Sequence, residues 1–68
     1  MLYQIQRQRT AGAYITIKTV KTHEEAVAYL AKIARDNPLR PYNGENKWQD
    51  SDDVHRVNRY RIVELQIQ

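Results

Sequence analysis

The sequence predicts an α+β fold of order β-β-α-β: a three-stranded antiparallel sheet with one helix packed on one face. Three observations carry this reading. Polar and apolar residues alternate on both sides of a short glycine turn, a helix-capping pattern opens an apolar stripe of helical spacing, and the C-terminal segment returns to strand chemistry. Residues 1–68 then form a single domain: a hairpin over 2–20, a helix over 23–36, a long loop over 37–53 and a closing strand over 54–67.

Leu2 to Arg9 alternates in the manner of a strand, with Tyr3 and Ile5 on one face and Gln4, Gln6 and Gln8 on the other. Thr10-Ala11-Gly12 supplies the turn, with Gly12 able to take a positive φ. Ala13 to Val20 alternates again. Ile15 and Ile17 share one face, Tyr14, Thr16 and Lys18 share the other, and the β-branched residues suit a pleated surface.

Thr22 and Glu25 form a capping box, in which the threonine hydroxyl accepts from the Glu25 amide and the Glu25 carboxylate reaches back to the Thr22 amide. Glu24 and Glu25 also complement the positive end of the helix. Ala26, Val27, Leu30, Ile33 and Ala34 follow at helical spacing, with Tyr29 at the margin of the stripe. Asn37-Pro38 stops the helix, since proline disfavours helical backbone in the residue before it.

Pro38 to Asp53 is long for a connection in a small domain. Pro41 and Asn43-Gly44 mark turns, while Leu39, Tyr42 and Trp48 are residues a disordered linker does not need. The segment either folds back onto the core or displays a recognition surface, and Ser51-Asp52-Asp53 offers a cap for a short helical turn. Val54 to Gln68 places Tyr60 and Ile62 on one face and Val63, Leu65 and Ile67 on the other. Either a bulge lies near Ile62-Val63 or the strand is apolar on both faces. Antiparallel neighbours throughout put the first strand in the centre and leave the second and last strands as edges, where strand addition or a homodimer would form.

A chain this short buries only about 60% of its extended surface, so the core is thin. Cysteine is absent, which excludes disulfides and thiolate metal sites. No apolar run approaches the ~18 residues of a membrane span, and the alternating N-terminus is unlike a signal peptide, so the expected location is the cytoplasm. The net charge of +3 is unevenly spread: residues 1–22 carry Arg7, Arg9, Lys18 and Lys21 and no acid, and residues 54–68 carry Arg56, Arg59 and Arg61 against Glu64. Basic strands beside a mildly acidic helix and loop can steer a partner.

Catalysis is not expected. His23 falls in the first helical turn among glutamates and His55 in a polar stretch, and neither has a nucleophile with an orienting group in the sequence pattern. With only Gly12 and Gly44, no glycine-rich phosphate loop exists and no cofactor is implied. Asp50, Asp52, Asp53 and His55 match no calcium-loop spacing and read as a solvated acidic turn, so no metal is expected either.

Binding is the remaining class. The candidate surface comprises Arg7, Arg9, Lys18, Arg59 and Arg61, with Tyr14 as a stacking platform on the sheet and Tyr42 and Trp48 in the loop. For Trp48 the alternatives are an interface anchor and a plug for the open end of the core.

The stretches Thr22-His23-Glu24-Glu25-Ala26, Tyr29-Leu30-Ala31, Ile33-Ala34, Asn37-Pro38 and Tyr60-Arg61-Ile62-Val63-Glu64 resemble small accessory proteins of bacteriophages and prophages. Phage inhibitors of host RNA polymerase and some anti-CRISPR proteins share this hairpin-helix-strand architecture. The resemblance covers about half of the chain and implies a non-enzymatic inhibitor that occludes a bacterial host protein or ribonucleoprotein complex. It carries over no site residues, and the basic charge sets the chain apart from acidic DNA-mimic inhibitors. The alternative is direct binding of nucleic acid by the same basic sheet face.

Overall fold

A computed structural model describes residues 1–35, 38–42, 44, 46–51 and 56–66. The elements are β1 (Leu2–Arg9), β2 (Ile15–Val20), α1 (His23–Ile33), β3 (Arg40–Pro41), β4 (Lys47–Gln49) and β5 (Asn58–Leu65). The α+β class agrees with the sequence, but the sheet has five strands rather than three, in the order β2-β1-β5-β4-β3 with every pair antiparallel. β1 lies between β2 and β5, as the requirement for antiparallel neighbours implies.

The two additional strands come from the segment read as a long loop. Tyr42 N–H donates to Lys47 O at 2.9 Å and closes a second hairpin, with Gly44 (φ 117°) and Asn46 (φ 59°) turning the chain. This hairpin docks on β5 through Trp48↔Tyr60. The last strand is therefore covered, and the second edge of the sheet is β3, two residues long and ending in a proline that has no N–H to offer.

The first hairpin turns differently from its expectation. Thr10, not Gly12, takes the left-handed backbone (φ 48°), and its N–H donates to Val57 O at 2.8 Å. Gly12 is needed for room: its N–H approaches Arg9 O at 2.8 Å, and a Cβ there would lie 3.1 Å from the same oxygen.

The phase of β5 resolves in favour of a strand apolar on both faces. It pairs with β1 from Leu2↔Leu65 to Arg9↔Asn58 without interruption, so no bulge lies at Ile62-Val63. The bulge sits instead opposite Ile5/Gln6, where the register jumps from Ile5↔Lys18 to Gln6↔Thr16. Thr16 and Lys18 consequently point to opposite faces, contrary to simple alternation, and Ile17 turns toward the core.

Thr22 caps α1 by accepting from Glu25 N–H at 3.1 Å. The helix ends at Ile33 rather than reaching residue 36; Asp36 and the expected stop residue Asn37 lie outside the described residues. Ala26 and Leu30 pack onto Ile5, Val20, Tyr60 and Ile62, flanked by Tyr3, Ile17, Tyr29, Ile33, Leu39 and Trp48. Val27, read as part of the buried stripe, is 44% exposed. It borders an open apolar groove of about 190 Å³ that runs between α1 and the side chains of Leu39 and Trp48. No helix among the described residues is long and apolar enough to cross a membrane.

A candidate anion-binding face

Because α1 covers one face of the sheet, the register decides which side chains meet the helix and which lie on the bare side. Cross-strand partners share a face. The helix side holds Tyr3, Ile5, Arg7 and Arg9 of β1 with Tyr60 and Ile62 of β5 and Trp48 of β4. The bare side holds Gln4, Gln6 and Gln8 of β1, opposite Val63, Arg61 and Arg59 of β5. It continues outward to Lys47 and Gln49, then Arg40, and on the other flank to Thr16 and Thr19. Among the described residues these strand positions carry four cations (Arg40, Lys47, Arg59 and Arg61) and no acid.

Tyr14, expected as a stacking platform, and Tyr42, expected in the loop, both reach the bare face. The Arg61 guanidinium lies over the Tyr14 ring, 3.9 Å from its centroid, and that of Arg59 lies over Tyr42 at 4.6 Å. Arg59 and Arg61 alternate on one strand, so their Cα atoms are ~7 Å apart. They lean in opposite directions, one toward the β2 flank and one toward the β3 flank.

A side-chain network fixes one of these pairs. Arg61 Nε–H donates to Gln6 Oε1 at 2.7 Å, Gln6 Nε2 donates to Gln4 Oε1 at 3.1 Å, and the Thr16 hydroxyl donates to the same oxygen at 3.3 Å. Gln8 Nε2 instead donates to Gly12 O at 2.7 Å and holds the turn beside Tyr14. The glutamines therefore brace the arginine and the turn. Arg59 Nε is buried with no hydrogen-bond partner among the described residues.

The structure divides the sequence-derived candidates. Arg59, Arg61, Tyr14 and Tyr42 come together on the bare face. Arg7 and Arg9 are on the helix side, where Arg7 is the cross-strand neighbour of Tyr60. Lys18 is exposed on β2 with its side chain on Ile5's side of the register. Trp48 packs against the core cluster and pairs with Tyr60, which is the core-plug alternative. Arg40 and Lys47 join Arg59 and Arg61 on the bare face, which strands of two and three residues are too short to reveal by alternation, and Gln6 gives no sign in sequence that it braces an arginine.

Burial pushes the Tyr60 hydroxyl above its ordinary pKa of 10, and the Asp50 carboxylate adds to this, while Arg7 and Arg9 pull it back. A phenol that keeps its proton longer in the folded chain than in the unfolded one contributes stability below pH 10 that is lost as pH rises through the folded value. The melting temperature is thus expected to fall with increasing pH above about 10, and Tyr60→Phe to flatten that fall. Equal alkaline slopes for the two proteins in thermal melts would refute the assignment.

Among the described residues, two further polar side chains have structural partners. His23 Nε2 lies 3.0 Å from Asn46 Oδ1 and its ring meets Tyr3 edge-on, so the imidazole links the helix start to the second hairpin. Asp50 spends both carboxylate oxygens on Asn58, accepting from its backbone N–H at 2.8 Å and its side-chain amide at 2.9 Å. Asp52, Asp53 and His55 of the acidic stretch lie outside the described residues, and among the described ones no three acidic or histidine side chains cluster as a metal site. The chain matches no protein family, no curated protein and no solved structure, so the site is read from its own geometry.

Proposed function

We propose that this chain is a non-enzymatic binding domain that holds nucleic acid on the bare face of its sheet. The observation that carries this is the face itself: Arg40, Lys47, Arg59 and Arg61 with no acid among the described residues there, and two tyrosines stacked under two of the arginines. Several cations on one flat surface neutralise successive phosphates and release their counterions. Aromatic and guanidinium planes on a sheet add stacking surface.

The test is binding of a labelled oligonucleotide across a salt series by fluorescence anisotropy. If four phosphates are neutralised, log K should fall with log salt at a slope of about −3, from roughly −0.7 per phosphate on a single strand. No detectable binding at low salt would end the proposal.

A second reading keeps the phage-type role: occlusion of a protein or ribonucleoprotein complex in the cytoplasm of a bacterial host. It draws on one different observation. β2 ends the sheet with six residues, all but Lys18 apolar or threonine, and Ile15 at its start is 54% exposed. Such an edge accepts an added strand from a partner or from a second copy of the chain. Nucleic acid that fails to bind, together with a bacterial protein that protects the amides of Ile15–Val20 from hydrogen exchange, would favour this second reading.

A further inference from the structure

Resting on the nucleic-acid reading, we infer that the ligand is single-stranded and is held by its bases at two stations, one on each side of β5. The stations are Tyr14 with Arg61 on the β2 flank and Tyr42 with Arg59 on the β3 flank. Each is a pair of flat groups, one aromatic and one cationic, within stacking distance on a sheet face that no helix among the described residues covers. A duplex keeps its base faces hidden and meets only the cations. An unpaired base offers a π-face to either plane and hydrogen-bonding edges to the guanidinium.

The two stations differ in preparation. Arg61 is set in place before any ligand arrives, because its Nε–H is bonded to Gln6, whose amide is oriented by Gln4. Gln6 is thus a positioning residue for the first station. At the second station the Arg59 Nε–H has no hydrogen-bond partner among the described residues, so no side-chain bond of that kind fixes this guanidinium over Tyr42. The arginines are ~7 Å apart along β5, and from β2 to β3 the face spans four strand spacings, ~19 Å. At ~3.4 Å per stacked nucleotide, the face accommodates at most about six.

The experiment compares three labelled ligands against the full chain at one salt concentration, with affinities expressed per phosphate: a mixed-sequence single strand of ~8 nucleotides, the same strand made abasic, and a stably paired duplex of roughly twice that length. Stacking predicts that the base-bearing strand binds at least about tenfold tighter than the abasic one. Gln6→Ala should lower that ratio by weakening the first station, with the salt slope unchanged, a pattern that general loss of structure would not give. Equal affinity for all three ligands would overturn the two-station inference and leave a phosphate-only face. Binding of none of them would overturn the nucleic-acid reading as well.

Discussion

Replacing Trp48 with alanine is expected to destabilise the fold by about 2–4 kcal/mol, toward the low end of what a large aromatic costs on truncation because the indole is only half-buried. A 68-residue domain has about 3–10 kcal/mol in total, so this is a large fraction of it. The indole sits between Tyr60 and the groove walls formed by Leu30 and Ala34, and with Leu39 it closes the side of the core that α1 leaves uncovered. Helix packing falls mainly on β1 and β2, which leaves β4 and β5 to be sheltered by these two side chains. The fall in melting temperature should exceed about 10 °C at a domain of this size. Oligonucleotide affinity, measured well below the new midpoint, should stay within about twofold, because Trp48 points to the helix side. An unchanged melting temperature with lost binding would show that the indole is an interface anchor after all.

Trp48 also shows where the sequence stops being informative. The eight-residue strands β1 and β5 are long enough to read as strands, and the requirement for antiparallel neighbours sets them side by side. Strands of two and three residues show no period, so β3 and β4 read as loop, and only the apolar residues Leu39, Tyr42 and Trp48 hinted that the segment folds back. The turn chemistry misled at Thr10, a β-branched residue in left-handed backbone, because the hydrogen bond from its N–H to Val57 O depends on a strand nearly fifty residues away. The β2 bulge reversed the face of Lys18 for the same kind of reason: its position depends on pairing with β1, which no local pattern records.

The site was half legible. Arg59, Arg61 and Tyr14 were found by residue type, and β5 alternation places the two arginines together. Arg7 and Arg9 were grouped with them on charge alone, although the alternation that buries Ile5 already puts both on the helix side. Gln4, Gln6 and Gln8 read in sequence only as the polar face of the first strand. In the fold, Gln6 is what holds Arg61 over Tyr14, a relation between residues 55 positions apart.

That division supports the sharpest test of the proposed function. The double substitution Arg59→Glu/Arg61→Glu should reduce single-strand affinity by at least ~100-fold, since it dismantles both stations, at each of which a stacked base is worth about 1–3 kcal/mol, and adds repulsion to phosphate. Arg9→Glu/Lys18→Glu changes the net charge by the same amount but acts at an exposed helix-side position and on the β2 edge. If long-range attraction to a basic molecule were the whole of binding, the two doubles would lose affinity equally and both losses would vanish above about 0.15 M salt, where the Debye length is ~8 Å. Contact on the bare face requires instead that the first double lose binding at every salt concentration while the second loses less than about tenfold, and only at low salt. Since all four side chains lie outside the buried core, both doubles should melt within a few degrees of the parent chain. Matching affinities in the two doubles would place recognition in overall charge, and the tyrosine-arginine pairs would then be surface packing only.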